Sequence, residues 1–98
     1  SQVDFVPELT GLNIEELRIK LFDKIADHYP VGMSTLTKLK QLDLTGCFNN
    51  IDFPDLSGCK ELASVVITDR SMTKAPSGLE ALRTRVPEFK LLAPKLNK

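Results

Sequence analysis

His28 is the only histidine in the chain, and it sits in Asp27-His28-Tyr29 with Asp23 upstream. An imidazole beside carboxylates is the raw material of a divalent metal site or a proton-transfer pair. On a helix, Asp23 and Asp27 would share a face, but His28 would be turned about 100° away from Asp27. A solvated loop is the plainer reading, and a metal-binding or catalytic protein centred on His28 is kept as an alternative. Cys47 and Cys59 are the other reactive side chains. Two cysteines make no disulfide framework, and no second Cys or His lies at ligand spacing from either. No Ser or Cys has a base beside it in sequence. The phosphate-cradling patterns G-x-x-x-x-G-K-[ST] and G-x-G-x-x-G are both missing. The expectation is therefore a non-enzyme, with no catalytic residue, no cofactor and no metal.

The strongest spacing in the chain is apolar. Leu39, Leu42, Leu44 and Cys47 follow L-x-x-L-x-L-x-x-C. The pattern recurs from Ile14 (Leu17, Ile19), from Leu62 (Val65, Ile67) and, degenerate, from Val86 (Phe89, Leu91). The four units begin at residues 14, 39, 62 and 86, in steps of 25, 23 and 24. Within each unit the last apolar pair alternates with polar neighbours, the period-two signature of a strand.

These units resemble leucine-rich repeats of the cysteine-containing subclass, whose strand ends in Gly-Cys and whose next strand follows a Cys-x-x-Leu step. Gly46-Cys47 and Cys59-Lys60-Glu61-Leu62 carry that resemblance. Gly78 to Leu82 is similar to its convex helix, and Val86-Pro87-Glu88-Phe89 to its Cys-Pro-x-Leu step with Val in place of Cys. Phe22 and Arg70 stand where the pattern has Asn or Cys. Such repeats occur in F-box ubiquitin-ligase receptors and in mitochondrial assembly proteins resembling coupling factor B of the ATP synthase. The resemblance implies an α/β fold: a short leucine-rich-repeat solenoid of about four parallel strands with helical or irregular convex segments. It also implies protein binding. A scaffold or assembly subunit comes first, and a substrate-recognition fragment of a larger receptor, such as a ubiquitin-ligase adaptor, is the alternative.

Residues 1–98 read as one domain. Residues 1–13 form an N-terminal cap, a short turn or helix in which Val3, Phe5, Val6, Leu9 and Leu12 cover one end of the core. Repeats run over 14–94, and 95–98 is a polar tail. Strands are expected at 15–20, through Leu42 and Leu44, at 62–68 and at 88–92. Phe22, Ile25, Ala26 and Tyr29 have helical spacing. Ser34 and Ser77 are candidate helix caps, Ser77 with Glu80 at capping-box spacing. Ile51 and Phe53 return to the core. Both cysteines are expected as buried free thiols.

Parallel stacking of these strands would gather outward residues into rows. The first is Glu16, Gln41, Ser64, Glu88. The second is Arg18, Asp43, Val66, Lys90, with an Arg18–Asp43 pair expected. The third is Lys20, Thr45, Thr68, Leu92. From these, Arg18, Gln41, Asp43, Ser64, Val66, Thr68, Lys90 and Leu92 are the expected protein-binding residues. Self-association through terminal strand edges is the competing mode.

Composition narrows the partners. Thirteen basic residues balance thirteen acidic ones, so no net field draws the chain to nucleic acid or an anionic membrane. The basic residues are interleaved with acids, and the one aromatic in an expected strand, Phe89, points inward, so no base-stacking platform forms. No apolar run approaches the roughly 18 residues of a membrane span. Ser1 to Asp4 lacks the basic and apolar parts of a signal peptide. With reduced cysteines, the expected location is an intracellular reducing compartment, either cytoplasm or mitochondrion.

Overall fold

Leu42 and Leu44 sit between Leu17 and Ile19 on one side and Val65 and Ile67 on the other, in a sheet whose strands all run parallel. In this computed structural model, residues 2–3, 8–48, 51–76 and 78–96 are described. The strands are β1 (Gln2–Val3), β2 (Glu16–Ile25), β3 (Gln41–Cys47), β4 (Ser64–Thr68) and β5 (Glu88–Leu92), and they lie side by side in chain order. The one α-helix of the described residues, α1 (Leu79–Arg85), lies in the connection before β5. The protein is a small α/β domain with an all-parallel sheet. No helix of the described residues is long and apolar enough to cross a membrane.

Alternation places Leu17, Ile19, Leu42, Leu44, Val65 and Ile67 on the inward face, all buried. The connecting segments lay a second apolar layer over that face. Met33, Leu36 and Leu39 come from the first, Phe53, Leu56, Cys59 and Leu62 from the second, and Met72, Leu79, Leu82 and Val86 from the third. Ile51 packs against this core half-buried, beside the buried Phe53. On β5, Phe89 and Leu91 are only half-buried, as befits the last strand of the sheet. Backbone bonds extend the ladder below the strands. Lys40 N donates to Glu15 O at 2.8 Å and Ala63 N to Lys40 O at 2.9 Å. Pro87 has no N–H for the next rung, and Glu88 N donates to Ala63 O at 3.1 Å instead.

Several expectations need correction. The segment expected to be helical from Phe22 is strand up to Ile25, with a register irregularity between Lys20 and Ile25. Ala26 N then donates to Cys47 O at 2.9 Å. A helix this short is marginal by itself, and the long β3 offers backbone partners that its local spacing does not reveal. Ile25 is 73% exposed, while Ala26 and Tyr29 are buried as expected. The described part of the N-terminal cap is a short strand beside β2, a bridge from Glu8 to Val31 and the expected short turn, in which Leu12 N donates to Leu9 O at 3.2 Å, with no helix among these residues. Leu9 is buried but Leu12 is exposed; the side chain of Val3 and all of Phe5 and Val6 lie outside the described residues. Gly32, not Ser34, begins the 3-10 turn Met33–Thr35. It sits at φ 84, and a Cβ there would run into Thr10. Gly78 begins α1, and Ser77 lies outside the described residues. Both thiols are free, but Cys47 points along the outward face and is half-buried, whereas Cys59 is buried. Leu96, in the expected polar tail, packs against the core.

Two polar devices close the structure. Arg85 reaches back to donate to Leu56 O at 2.8 Å and Cys59 O at 3.2 Å. The buried Asp69 carboxylate, just past β4, accepts Phe48 N–H at 3.2 Å, Ser71 N–H at 2.9 Å and the Ser71 hydroxyl at 2.8 Å. Beside it, Tyr29 stacks on Phe48 at 4.4 Å and meets Phe53 edge-on at 5.0 Å. Its buried hydroxyl has no protein hydrogen-bond partner among the described residues. Burial, and then the Asp69 charge, push that hydroxyl above the ordinary phenol range.

Leu44→Ala should cost about 2–5 kcal/mol in urea unfolding, because Leu44 is fully enclosed; a loss below about half a kcal/mol would contradict this packing. Tyr29→Phe should stabilise the protein by about 1 kcal/mol at neutral pH by removing an unpaired buried hydroxyl. Because the folded phenol is raised, its contribution is complete below the ordinary value near 10 and is lost as pH rises above it. Urea midpoints measured from neutral to strongly alkaline pH should therefore fall less steeply for Tyr29→Phe than for the parent.

Candidate functional site

The outward face of the sheet carries all eight expected binding residues. Arg18, Asp43, Val66 and Lys90 are direct cross-strand neighbours. Gln41 and Ser64 lie in the row before them, between Glu16 and Glu88. Thr68 and Leu92 lie in the row after, beside Lys20 and Thr45. Arg18, Gln41 and Lys90 are exposed, and Asp43, Ser64, Val66 and Thr68 are half-buried. Leu92 is 48% exposed, a large apolar side chain open to water at the margin of the face.

The charges pair differently from the expectation. Asp43 is bonded to Lys20, not to Arg18, with Lys20 Nζ 3.0 Å from Asp43 Oδ2. Lys20 Nζ also donates to Thr45 Oγ1 at 3.3 Å. Arg18 lies 3.9 Å from Glu16 on its own strand. The physical reason is diagonal reach. A long side chain spans to the neighbour two residues along almost as easily as to the one opposite, and Thr45 gives Lys20 a second acceptor. The Lys20 and Asp43 side chains are only 23% and 28% exposed, so water screens this pair less than a fully open one.

Next to this network the face dips. A shallow hollow of about 130 Å³ is lined by Glu16, Arg18, Gln41, Asp43, Ser64 and Val66, with Leu17 and Leu42 at its floor. Its rim offers acids, a guanidinium, an amide and a hydroxyl, and its wall an apolar Val. This chemistry suits an extended polypeptide or a small group of protein side chains. A larger hollow of about 290 Å³ lies between α1 and residues 53–57. Its guanidinium, Arg85, is already committed to two backbone carbonyls. Its Asp55 closes a turn by accepting Ser57 N–H at 2.9 Å, and that bond holds the carboxyl below its ordinary range. The strand-face hollow is smaller but gathers its polar groups from three adjacent strands.

His28 and Asp27 meet at 2.5 Å in open solvent, and the His28 hydrogen bond holds the Asp27 carboxyl below its ordinary range. The Asp23 side chain lies outside the described residues. Among the described residues, no three His, Cys, Asp or Glu side chains gather in a metal-holding group.

Sequence reasoning missed the Lys20–Asp43–Thr45 network and the buried Asp69. The second left a signal: Asp-x-Ser straight after an apolar strand is a turn in which the carboxylate bonds the backbone two residues on. No protein-family model, curated protein or solved structure matches the chain.

A double-mutant cycle with Lys20→Met and Asp43→Asn should give a coupling of about 1 kcal/mol, at the top of the range for partly exposed pairs. The matching cycle with Arg18→Met and Asp43→Asn should give a coupling near zero. Equal couplings in urea unfolding would show that the pairing described above is not the one populated in solution.

Proposed function

We propose that this protein is a non-catalytic interaction module, a scaffold or assembly subunit, that binds another protein through the outward face of its sheet. We further read its units as a short leucine-rich-repeat solenoid. The observation that carries the proposal is the register. Rows drawn from residues far apart in sequence stand side by side and form one continuous surface. Solenoids built from stacked units use such surfaces to take partners.

The face is mixed in the way a binding surface is mixed. Val66 and Leu92 are apolar at positions where alternation calls for polar residues. Leu92 is about half covered and Val66 more so, so completing the burial of Leu92 against a partner supplies about 1 kcal/mol and that of Val66 less. Charged Arg18 and Lys90 at the rim fix orientation and association rate more than affinity. The Lys20–Asp43 pair holds the centre of the face in one arrangement before any partner arrives.

A photo-crosslinking residue placed at Ser64 should give discrete adducts in native extract, and the same residue at the exposed Ala81 of α1 should give none. Adding Val66→Glu with Arg18→Glu should cut the Ser64 adducts at least about fivefold, the equivalent of 1 kcal/mol, with an unchanged circular dichroism spectrum. Equal adducts from both positions, or adducts indifferent to the double substitution, would rule out the strand face as the docking surface.

A further inference from the structure

Among the described residues β5 is the last strand of the sheet, and no strand pairs with its outer edge. Backbone geometry identifies the groups left on that edge. Glu88 N donates to Ala63 O, and Leu92 O accepts from Asp69 N. In a parallel ladder, alternate residues direct both backbone groups to the same side. The N–H and C=O groups of Glu88, Lys90 and Leu92 therefore face β4, and those of Phe89 and Leu91 face outward. Pro87 has the same parity as Phe89 and brings no N–H to the edge.

We infer that a second copy of this chain docks on that edge, antiparallel, with Phe89 opposite Phe89 on the two-fold axis. The argument is charge complementarity at a fixed register. Glu88 and Lys90 flank Phe89, and both are exposed on the outward face. With Phe89 on the axis, Glu88 of each copy lies opposite Lys90 of the other, so two opposite-charge pairs form at once. Phe89 against Phe89 is the hydrogen-bonded pair. This makes Glu88 against Lys90 a non-hydrogen-bonded pair, the kind in which side chains approach most closely. Phe89 N–H and C=O bond reciprocally across the axis, and Leu91 N–H donates to Pro87 O on each side.

The neighbouring registers lack this match. With Lys90 on the axis, two ammonium groups stand directly opposite each other, which is destabilising. With Leu91 on the axis, Lys90 faces Leu92. A lysine ordinarily guards an edge strand against pairing, but here Glu88 supplies its counter-charge in trans. The inner side of the contact carries the apolar Phe89 and Leu91 with a cation beside them. Phe89 is half-buried under the Arg83 guanidinium, 5.3 Å from the ring centroid, and Leu91 is half-buried beside it. The two copies share one continuous sheet, and their outward faces become one surface.

The interface is short, so association is concentration-dependent. Sedimentation of the full chain from about 10 μM to about 1 mM should show a monomer–dimer equilibrium that weakens as salt is added. Glu88→Lys alone and Lys90→Glu alone each set like charges opposite one another and should raise the dimer Kd at least about tenfold. The swap, Glu88→Lys with Lys90→Glu, should restore dimerisation, because each pair re-forms with its signs exchanged. Independently of any variant, zero-length carbodiimide coupling of mixed ordinary and isotope-labelled protein should join Glu88 of one copy to Lys90 of the other. A monomer across the whole range, a mass above that of a dimer, a swap that fails to restore association, or coupled protein lacking that mixed-isotope peptide would each overturn the proposal. None of these readouts depends on whether the strand face binds a partner.

Discussion

The register between neighbouring parallel strands is the constraint on which the structure rests. Leu42 lies beside Leu17 and Val65, and Leu44 beside Ile19 and Ile67. A slip of one residue would turn every one of these side chains out to water and bring Arg18, Asp43 and Lys90 into the core. The connections obey the same constraint. Each returns the chain to the start of the next strand and delivers one buried apolar residue there: Leu39, Leu62 or Val86. The lateral bonds from Lys40 to Glu15 and from Ala63 to Lys40 fix the register before the strands begin.

That register was legible in the sequence because two periods agree. Alternation says which side chains point in, and the recurring spacing from Ile14, Leu39, Leu62 and Val86 says which residues become neighbours. Together they give the outward rows residue by residue. The rest depended on partners that a local pattern does not specify. Residues 22–29 have helical spacing, yet β3 runs long enough to hold their first part as strand. Asp43 has two cations within reach, and the choice of Lys20 rests on the hydroxyl of Thr45. Cys47 was expected inside, but alternation along β3 gives the inward place to Gly46. A Cβ at Gly46 would sit 3.0 Å from Leu21 Cβ, so the neighbouring strand already fills that space.

The two faces of the sheet use polarity in opposite ways. Outward, Lys20, Asp43 and Thr45 form a network that shares its contact with water. Inward and past the strand ends, Asp69 is fully enclosed, and three donors meet its charge there. One of them, Phe48 N–H, belongs to the chain just beyond β3, so the carboxylate ties two successive strand ends together. Tyr29 lies against this arrangement as a ring stacked for its apolar area, with a hydroxyl that none of the described residues bonds.

Arg85 has a further consequence, for cooperativity. An edge strand and the helix beside it ordinarily open and close at lower cost than the interior of a fold. Here the last helix ends in a guanidinium whose two donors are anchored on carbonyls of the preceding connection. Opening α1 takes the charged donor away from Leu56 O and Cys59 O, which keep only the N–H of Cys59 and of Leu62, and uncovers a core that has just lost Leu79 and Leu82. The segment from α1 to β5 therefore opens together with the connection before it, and amide exchange over the described residues between 56 and 92 should report one shared opening event in place of a gradient along the chain.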